Sequence, residues 1–209
     1  MKPFPHIEYD FTVERKGARP AQIKQVHTAL VHEIRDEAHA YHMMETPPEG
    51  DASLTFASGL PLYVFTADCI PFLFFTEDPQ GPIAAVHAGW RGAAAGIVSK
   101  TIERLGKWGD RLHVAIGPSI LGCCFEIQSD LVDAFAERGR DISPFLHRRG
   151  ARLTFSLASH LIATDLAGWP KSRLHVQALV CTVCSTPKLP SFRRNKDTDP
   201  RLWNWIKKV

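Results

Sequence analysis

Long apolar runs are missing from this 209-residue chain. A membrane-spanning helix needs roughly 20 consecutive apolar residues, and no segment supplies them. The opening stretch, MKPFPHIEYDF, also lacks the apolar stretch of a secretion signal. The expectation is a soluble, cytoplasmic protein with no membrane partner. Strong charge of one sign is missing too. Lys and Arg number 25 against 22 Asp and Glu, a net charge of +3, too mild to call for nucleic acid as a partner. Cysteine is sparse and odd in number, at positions 69, 123, 124, 181 and 184. In an unsecreted chain this favours reduced thiols or metal ligands over a disulfide framework. Repeats, low-complexity tracts and composition breaks are lacking, so residues 1–209 read as a single domain. The balance of 44% hydrophobic and 22% charged residues is that of an ordinary globular protein, long enough to build a proper core.

Several nucleotide and metal signatures are likewise missing. There is no GKS or GKT, and the glycines around position 90 do not follow the dinucleotide fingerprint. The stretch HEIRDEAHAYH (32–42) lacks HExxH and reads as a solvated face. No His-x-His pair occurs, and methionine stands only at 1, 43 and 44.

What is present is an alternation of strand and helix patterns. Apolar strands are expected at 60–67, 70–76, 82–87, 112–117 and 174–180. Helices are expected over 94–106, ending at Gly106, and over 129–137 and 156–167. Asp199 and Pro200 look like the N-cap and first residue of a terminal helix, RLWNWIKK. The first 50 residues read as irregular and His-rich. Strands and helices alternate only in part, which favours an α+β (mixed α/β) fold of layered mixed sheets flanked by helices.

Polar residues at strand interruptions carry the chemical interest. FTADCIPFLFF (65–75) sets Asp68 and Cys69 inside an apolar run, and a buried acid needs a partner. A free Cys is commonly a small buried hydrophobe; Asp68 can orient a histidine or bond backbone N–H groups at a turn. VHAGWRG (86–92) follows a strand and precedes a helix. Its Gly89 and Gly92 permit a tight turn, and Arg91 beside a helix start suits an anion or phosphate. His87 ends the strand, as a core histidine or a functional one. QVH (25–27) contributes His27. Two histidines and one thiol make the donor set of an open catalytic zinc site, although their separation in sequence fits no local ligand motif. Cys181-x-x-Cys184 follows a strand and opens no helix, against a redox pair, and adjacent Cys123-Cys124 does not complete a zinc ribbon. Both pairs read as structural. The run SFRRNKDTDPR (191–201) is a charged surface or a closure over an anionic substrate.

QVH (25–27), EGDASLT (49–55), TADCIP (66–71), VHAGWRG (86–92), GPSILGCCFEI (117–127), and CTVC followed by SFRRNKDTDPR, occur in that order. Together they resemble the laccase-domain proteins, also called multicopper polyphenol oxidases. That family has since been described as zinc-dependent purine nucleoside phosphorylases, and it includes the bacterial peptidoglycan editing factors. The resemblance implies a cytotoxic-necrotizing-factor/laccase-domain-like fold, grouped with toxin deamidases that use Cys and His. It implies a metal held by His27, Cys69 and His87, with Asp68 behind them. It further implies catalytic roles for Cys69, His87 and Arg91, and substrate contacts from Arg91, Arg193, Arg194 and Asp68. The chain departs from the family at Leu189-Pro190, at Phe192 in place of Tyr, and at Asp199-Pro200-Arg201.

Three chemistries follow. The first is zinc-dependent phosphorolysis of adenosine, inosine, guanosine or methylthioadenosine with phosphate, with adenosine deamination as a further activity; the deaminase signature H-x-E…P-C-x-x-C is lacking. The second is copper-dependent polyphenol oxidation, for which a His₂Cys set wants an axial Met. The third is a metal-free Cys/His hydrolase, or an amidase editing peptidoglycan precursors, with Cys69 as nucleophile and His87 as base.

Overall fold

Every residue of Ile70–Thr76 is buried, and this segment organises the chain around it. Leu73 and Phe75 point to one side, Phe72 and Phe74 to the other, as the two-residue period of a strand requires. Each side meets its own apolar core. In this computed structural model, residues 4–13, 23–176, 179–196 and 200–209 are described.

Among them run the strands β1 (Ile7–Thr12), β2 (Val31–Glu33), β3 (Ala52–Thr55), β4 (Pro61–Thr66), β5 (Ile70–Thr76) and β6 (Ile83–Ala88). Five more follow: β7 (Leu112–Ile116), β8 (Leu146–Arg149), β9 (Arg152–Phe155), β10 (Leu174–Val176) and β11 (Leu202–Lys208). The helices are α1 (Glu37–Glu45), α2 (Trp90–Ala94), α3 (Ile97–Leu105), α4 (Ser129–Ala136), α5 (Leu157–Thr164) and α6 (Phe192–Asn195).

A six-stranded mixed sheet, in the order β10-β7-β5-β6-β3-β2, forms the middle layer. An antiparallel sheet of three strands, β1-β11-β4, covers one face. There Leu73, Phe75, Ala85 and Ala115 meet Ile7, Tyr9, Leu62, Val64 and Ile206. On the opposite face Phe72, Phe74, Val86 and Val114 meet Ile97, Val98, Leu105, Leu131, Phe135 and Leu161 from the helices. The fold is therefore α+β, with layered mixed sheets flanked by helices. Burying one such Phe or Leu side chain stabilises the fold by roughly 1.5–3 kcal/mol. No helix among the described residues is long and apolar enough to cross a membrane.

Four strands expected from apolar runs, β4 to β7, lie where the sequence puts them. The expected strand at 174–180 is shorter, ending at Val176, with 177 and 178 outside the described residues. The helix expected over 94–106 divides: α2 ends at Ala94, Gly96 takes a left-handed φ of 81°, and α3 runs to the Gly106 cap. The terminal helix is not one. Residues Leu202–Lys208 form β11, and the expected cap Asp199 lies outside the described residues. Leu202, Asn204, Ile206 and Lys208 are buried in strict alternation with half-buried Trp203, Trp205 and Lys207. That is the period of a strand, and tryptophan and isoleucine favour it. The first 50 residues are also more ordered than expected, holding β1, β2 and α1. Ala40 and Met43 of α1 are buried, so this stretch is not wholly a solvated face.

Candidate metal centre

The junctions on either side of the β5–β6 pair bring three distant side chains together. Cys69 immediately precedes β5, His87 is the penultimate residue of β6, and antiparallel pairing sets Pro71 opposite His87 and Ile70 opposite Ala88. His27 comes from the loop before β2. One donor atom from each of His27, Cys69 and His87 lies within 4.8 Å of the others. Cys69 Sγ and His27 Nε2 are 3.7 Å apart.

The loop carrying His27 is held from both ends. Gln25 Nε2 donates to the Phe65 carbonyl at 2.9 Å, and Phe65 N–H donates to Gln25 Oε1 at 2.8 Å, so its amide acts as an extra strand partner for β4. Asp51, fully buried just before β3, accepts from the N–H groups of Val26, His27 and Thr28 and from the Thr28 hydroxyl. Asp51 Oδ1 also accepts from His87 Nδ1 at 2.7 Å. One carboxylate thus orients two of the three donors and turns His87 Nε2 toward Cys69, the arrangement that metal-ligating histidines commonly have. Sequence reasoning did not single out Asp51. The signal was present: an acid directly before the buried strand ASLT needs a partner as much as Asp68 does.

Two backbone features shape the cradle. His27 and Asp68 have φ of 64° and 95°, conformations that non-glycine residues rarely adopt and that each cost about 1–3 kcal/mol. Gly89 has an ordinary φ of −73°, so a tight turn does not explain it. A Cβ there would overlap the His27 ring and press on Cys69 Sγ at 3.1 Å. At Gly92 a Cβ would meet the Thr28 carbonyl at 2.7 Å. Both glycines permit close approach of the histidine loop.

Charge is organised to match. Burial works against ionising the Cys69 thiol, but facing His87 and His27 outweigh it and bring its pKa down to about 6. Burial likewise disfavours a charged His87, yet Cys69 and Asp51 raise it to about 9. Without a metal this is a thiolate–imidazolium pair. Two imidazoles and a thiolate whose space a Cβ would fill fit a borderline-soft divalent ion.

Above the trio opens a cavity of about 570 Å³ lined by Phe65, Trp90, Phe125 and Phe192 and by Arg91, Arg193, Lys196 and Arg201. Arg91 lies over the Trp90 ring at 4.0 Å and Arg193 over Phe125 at 5.6 Å. Asp68 also lines it, but its carboxylate accepts from the Thr182 hydroxyl and from Arg193 N–H, both at 2.6 Å. Arg194 does not line this cavity. Its guanidinium donates to the carbonyls of Thr182, Val183 and Leu189. Lys196, with φ of 58°, was not among the expected substrate contacts.

The chain matches the multi-copper polyphenol oxidoreductase laccase family over residues 11–208. It is 34% identical over 160 residues to a purine nucleoside phosphorylase of Aquifex aeolicus, covering 76% of this chain and 71% of the relative. It is 30% identical over 180 residues to adenosine deaminase RL5 from an unknown prokaryotic organism, covering 82% and 68%. The crystal structure of the Neisseria meningitidis protein NMB0706 is similar with a TM-score of 0.75 at 25% identity, over 90% of this chain and 75% of that one.

Proposed function

Since the chain belongs to the multi-copper polyphenol oxidoreductase laccase family and is an enzyme of it, we propose that it is a zinc-dependent purine nucleoside phosphorylase acting on adenosine, inosine, guanosine or methylthioadenosine, with adenosine deamination as a second activity. The observation that carries this reading is the convergence of His27, Cys69 and His87 beneath a cavity with cationic and aromatic walls. Those three residues would hold the ion. Zinc bound there would supply a Lewis acid, with a coordination position left for an oxygen ligand.

The chain's own groups do the rest. Phe65, Trp90, Phe125 and Phe192 offer faces on which a purine can stack. Arg91, Arg193, Lys196 and Arg201 give the cavity a positive field suited to phosphate. The one acid among the described lining residues, Asp68, is already bonded to Thr182 and Arg193, which limits repulsion of an anion. Asp51 fixes the ring of His87 and the backbone of His27.

The test pairs metal analysis with turnover. Zinc is expected at this site and lost in Cys69→Ala, which should also lose phosphate-dependent release of free base from adenosine or inosine. Full turnover and unchanged zinc content in Cys69→Ala would overturn the assignment. Arg91→Ala should raise the KM for phosphate by about 10-fold or more, the loss of one charge-assisted hydrogen bond, with zinc retained.

The lowered Cys69 pKa beside His87 favours one other reading, a Cys/His hydrolase. Zinc and an acyl group compete for the same sulfur, so activity that survives complete chelation would select the hydrolase. A copper centre finds less support. Met43 is buried in the second core, and neither it nor Met44 lines the cavity.

A further inference from the structure

The four cysteines outside this site are not scattered. Cys123, Cys124, Cys181 and Cys184 present four sulfurs that all lie within 4.8 Å of one another, and all are free thiols. Cys123 Sγ and Cys184 Sγ are 3.7 Å apart. Four sulfurs around one zinc at about 2.3 Å are tetrahedrally separated by about 3.8 Å. Packing does not account for the group, because Cys123 and Cys184 are exposed, whereas cysteines used as small hydrophobes are buried.

Backbone bonds present the thiols from two facing turns. Ser119 N–H donates to the Val180 carbonyl and Thr182 N–H to the Ser119 carbonyl, at 3.2 and 3.0 Å, joining the two segments. Cys124 N–H and Phe125 N–H both donate to the Leu121 carbonyl at 2.9 Å, closing one turn; Ser185 N–H donates to the Cys181 carbonyl at 3.1 Å, closing the other. We propose that Cys123, Cys124, Cys181 and Cys184 form a second, structural zinc site of four thiolates. Four soft ligands without an open position select zinc and exclude a catalytic water. The ion staples the turn between β7 and α4 to the turn that carries Thr182 and Val183. Those two residues hold Asp68 and, through Arg194, the helix α6. The second site therefore braces one wall of the cavity, and its existence does not depend on what reaction the cavity performs.

The decisive experiment uses the full chain carrying His27→Ala and Cys69→Ala, which dismantles the first site and leaves these four as its only cysteines. Purified with zinc and without chelator, it should hold one zinc per chain. Exchange for Co²⁺ should give intense sulfur-to-cobalt charge-transfer absorption with tetrahedral ligand-field bands. A chelator should lower its thermal midpoint. Adding Cys123→Ser and Cys184→Ser should abolish the absorption and the zinc. Zinc-free protein with four freely alkylated thiols would overturn the proposal, and so would peptide mapping that finds a disulfide among them. Should the quadruple variant fail to fold, zinc content and the cobalt spectrum of the double variant decide the matter alone.

Discussion

Asp51 illustrates how much of this site depends on a residue that touches no substrate. Its carboxylate gathers three successive backbone N–H groups, the Thr28 hydroxyl and the His87 ring. Asp51→Ala should weaken zinc binding by about 10- to 100-fold, the usual effect of removing a partner of a metal-ligating histidine. Competition with a chromogenic chelator measures it, and unchanged affinity would remove Asp51 from this role. Gly89→Ala should act from the other side, through a methyl group driven into the His27 ring; zinc affinity should fall with little change in the core. The thiol gives a pH test. In chelator-treated protein, alkylation of Cys69, followed by peptide mass mapping, should rise through a midpoint near pH 6. An ordinary thiol would titrate about two units higher. Sequence could offer the three donors as candidates, but only the resemblance of six ordered stretches joined them in one site, because residues this far apart converge by strand pairing that no local spacing encodes. It missed Asp51 because a buried acid looks the same in sequence whether it caps a turn or holds a histidine.

The elements were most legible where both faces are buried and least legible at the edges. β5 and β6 are near-continuous apolar runs because core lies on both sides. β11 misled because Pro200 and the basic RLWNWIKK imitate a helix start, while its alternating burial becomes visible only between β1 and β4. β2, with three residues, carries too little pattern to be read from sequence, and β10, expected over 174–180, keeps only its first three residues. Between elements, an ion pair ties α3 and α5 to the turn after α4. Arg140 Nη1 donates to Asp165 Oδ2 at 2.8 Å, and the Ser99 hydroxyl donates to Asp165 Oδ1. Burial opposes ionisation of Asp165, but Arg140 and Ser99 prevail and hold its pKa below the usual carboxylate value. Its stabilisation is therefore complete above about pH 4 and is lost as the pH falls through the depressed native value. Asp165→Asn should flatten that acid limb of the thermal midpoint. It should also destabilise by about 3–5 kcal/mol at neutral pH, since Arg140 is left without its carboxylate. An acid limb identical in wild type and variant would refute the pairing's role.

The two cores share one sheet, and this sets how the molecule should come apart. Phe72 and Phe74 belong to the helix-side core, Leu73 and Phe75 to the core against the three-stranded sheet, yet all four are consecutive in β5. Neither core can lose its packing without exposing the back of the strand that supports the other. Two of the three candidate metal donors hang on the same strands, with Cys69 just before β5 and His87 near the end of β6. In chelator, where metal linkage is removed, the chain should unfold in one transition, with fluorescence and far-UV circular dichroism coincident. Phe72→Ala should lower stability by about 3–5 kcal/mol, as large-to-small changes in a packed core do. It should move both probes together, including the signal of Trp203 and Trp205, which lie on β11 outside its own core. Two separated transitions would mean that the three-stranded sheet and the helix layer are independent units. Zinc should then add stability on top of this transition, rising with the logarithm of its free concentration, because the donor geometry exists only while β5 and β6 are paired.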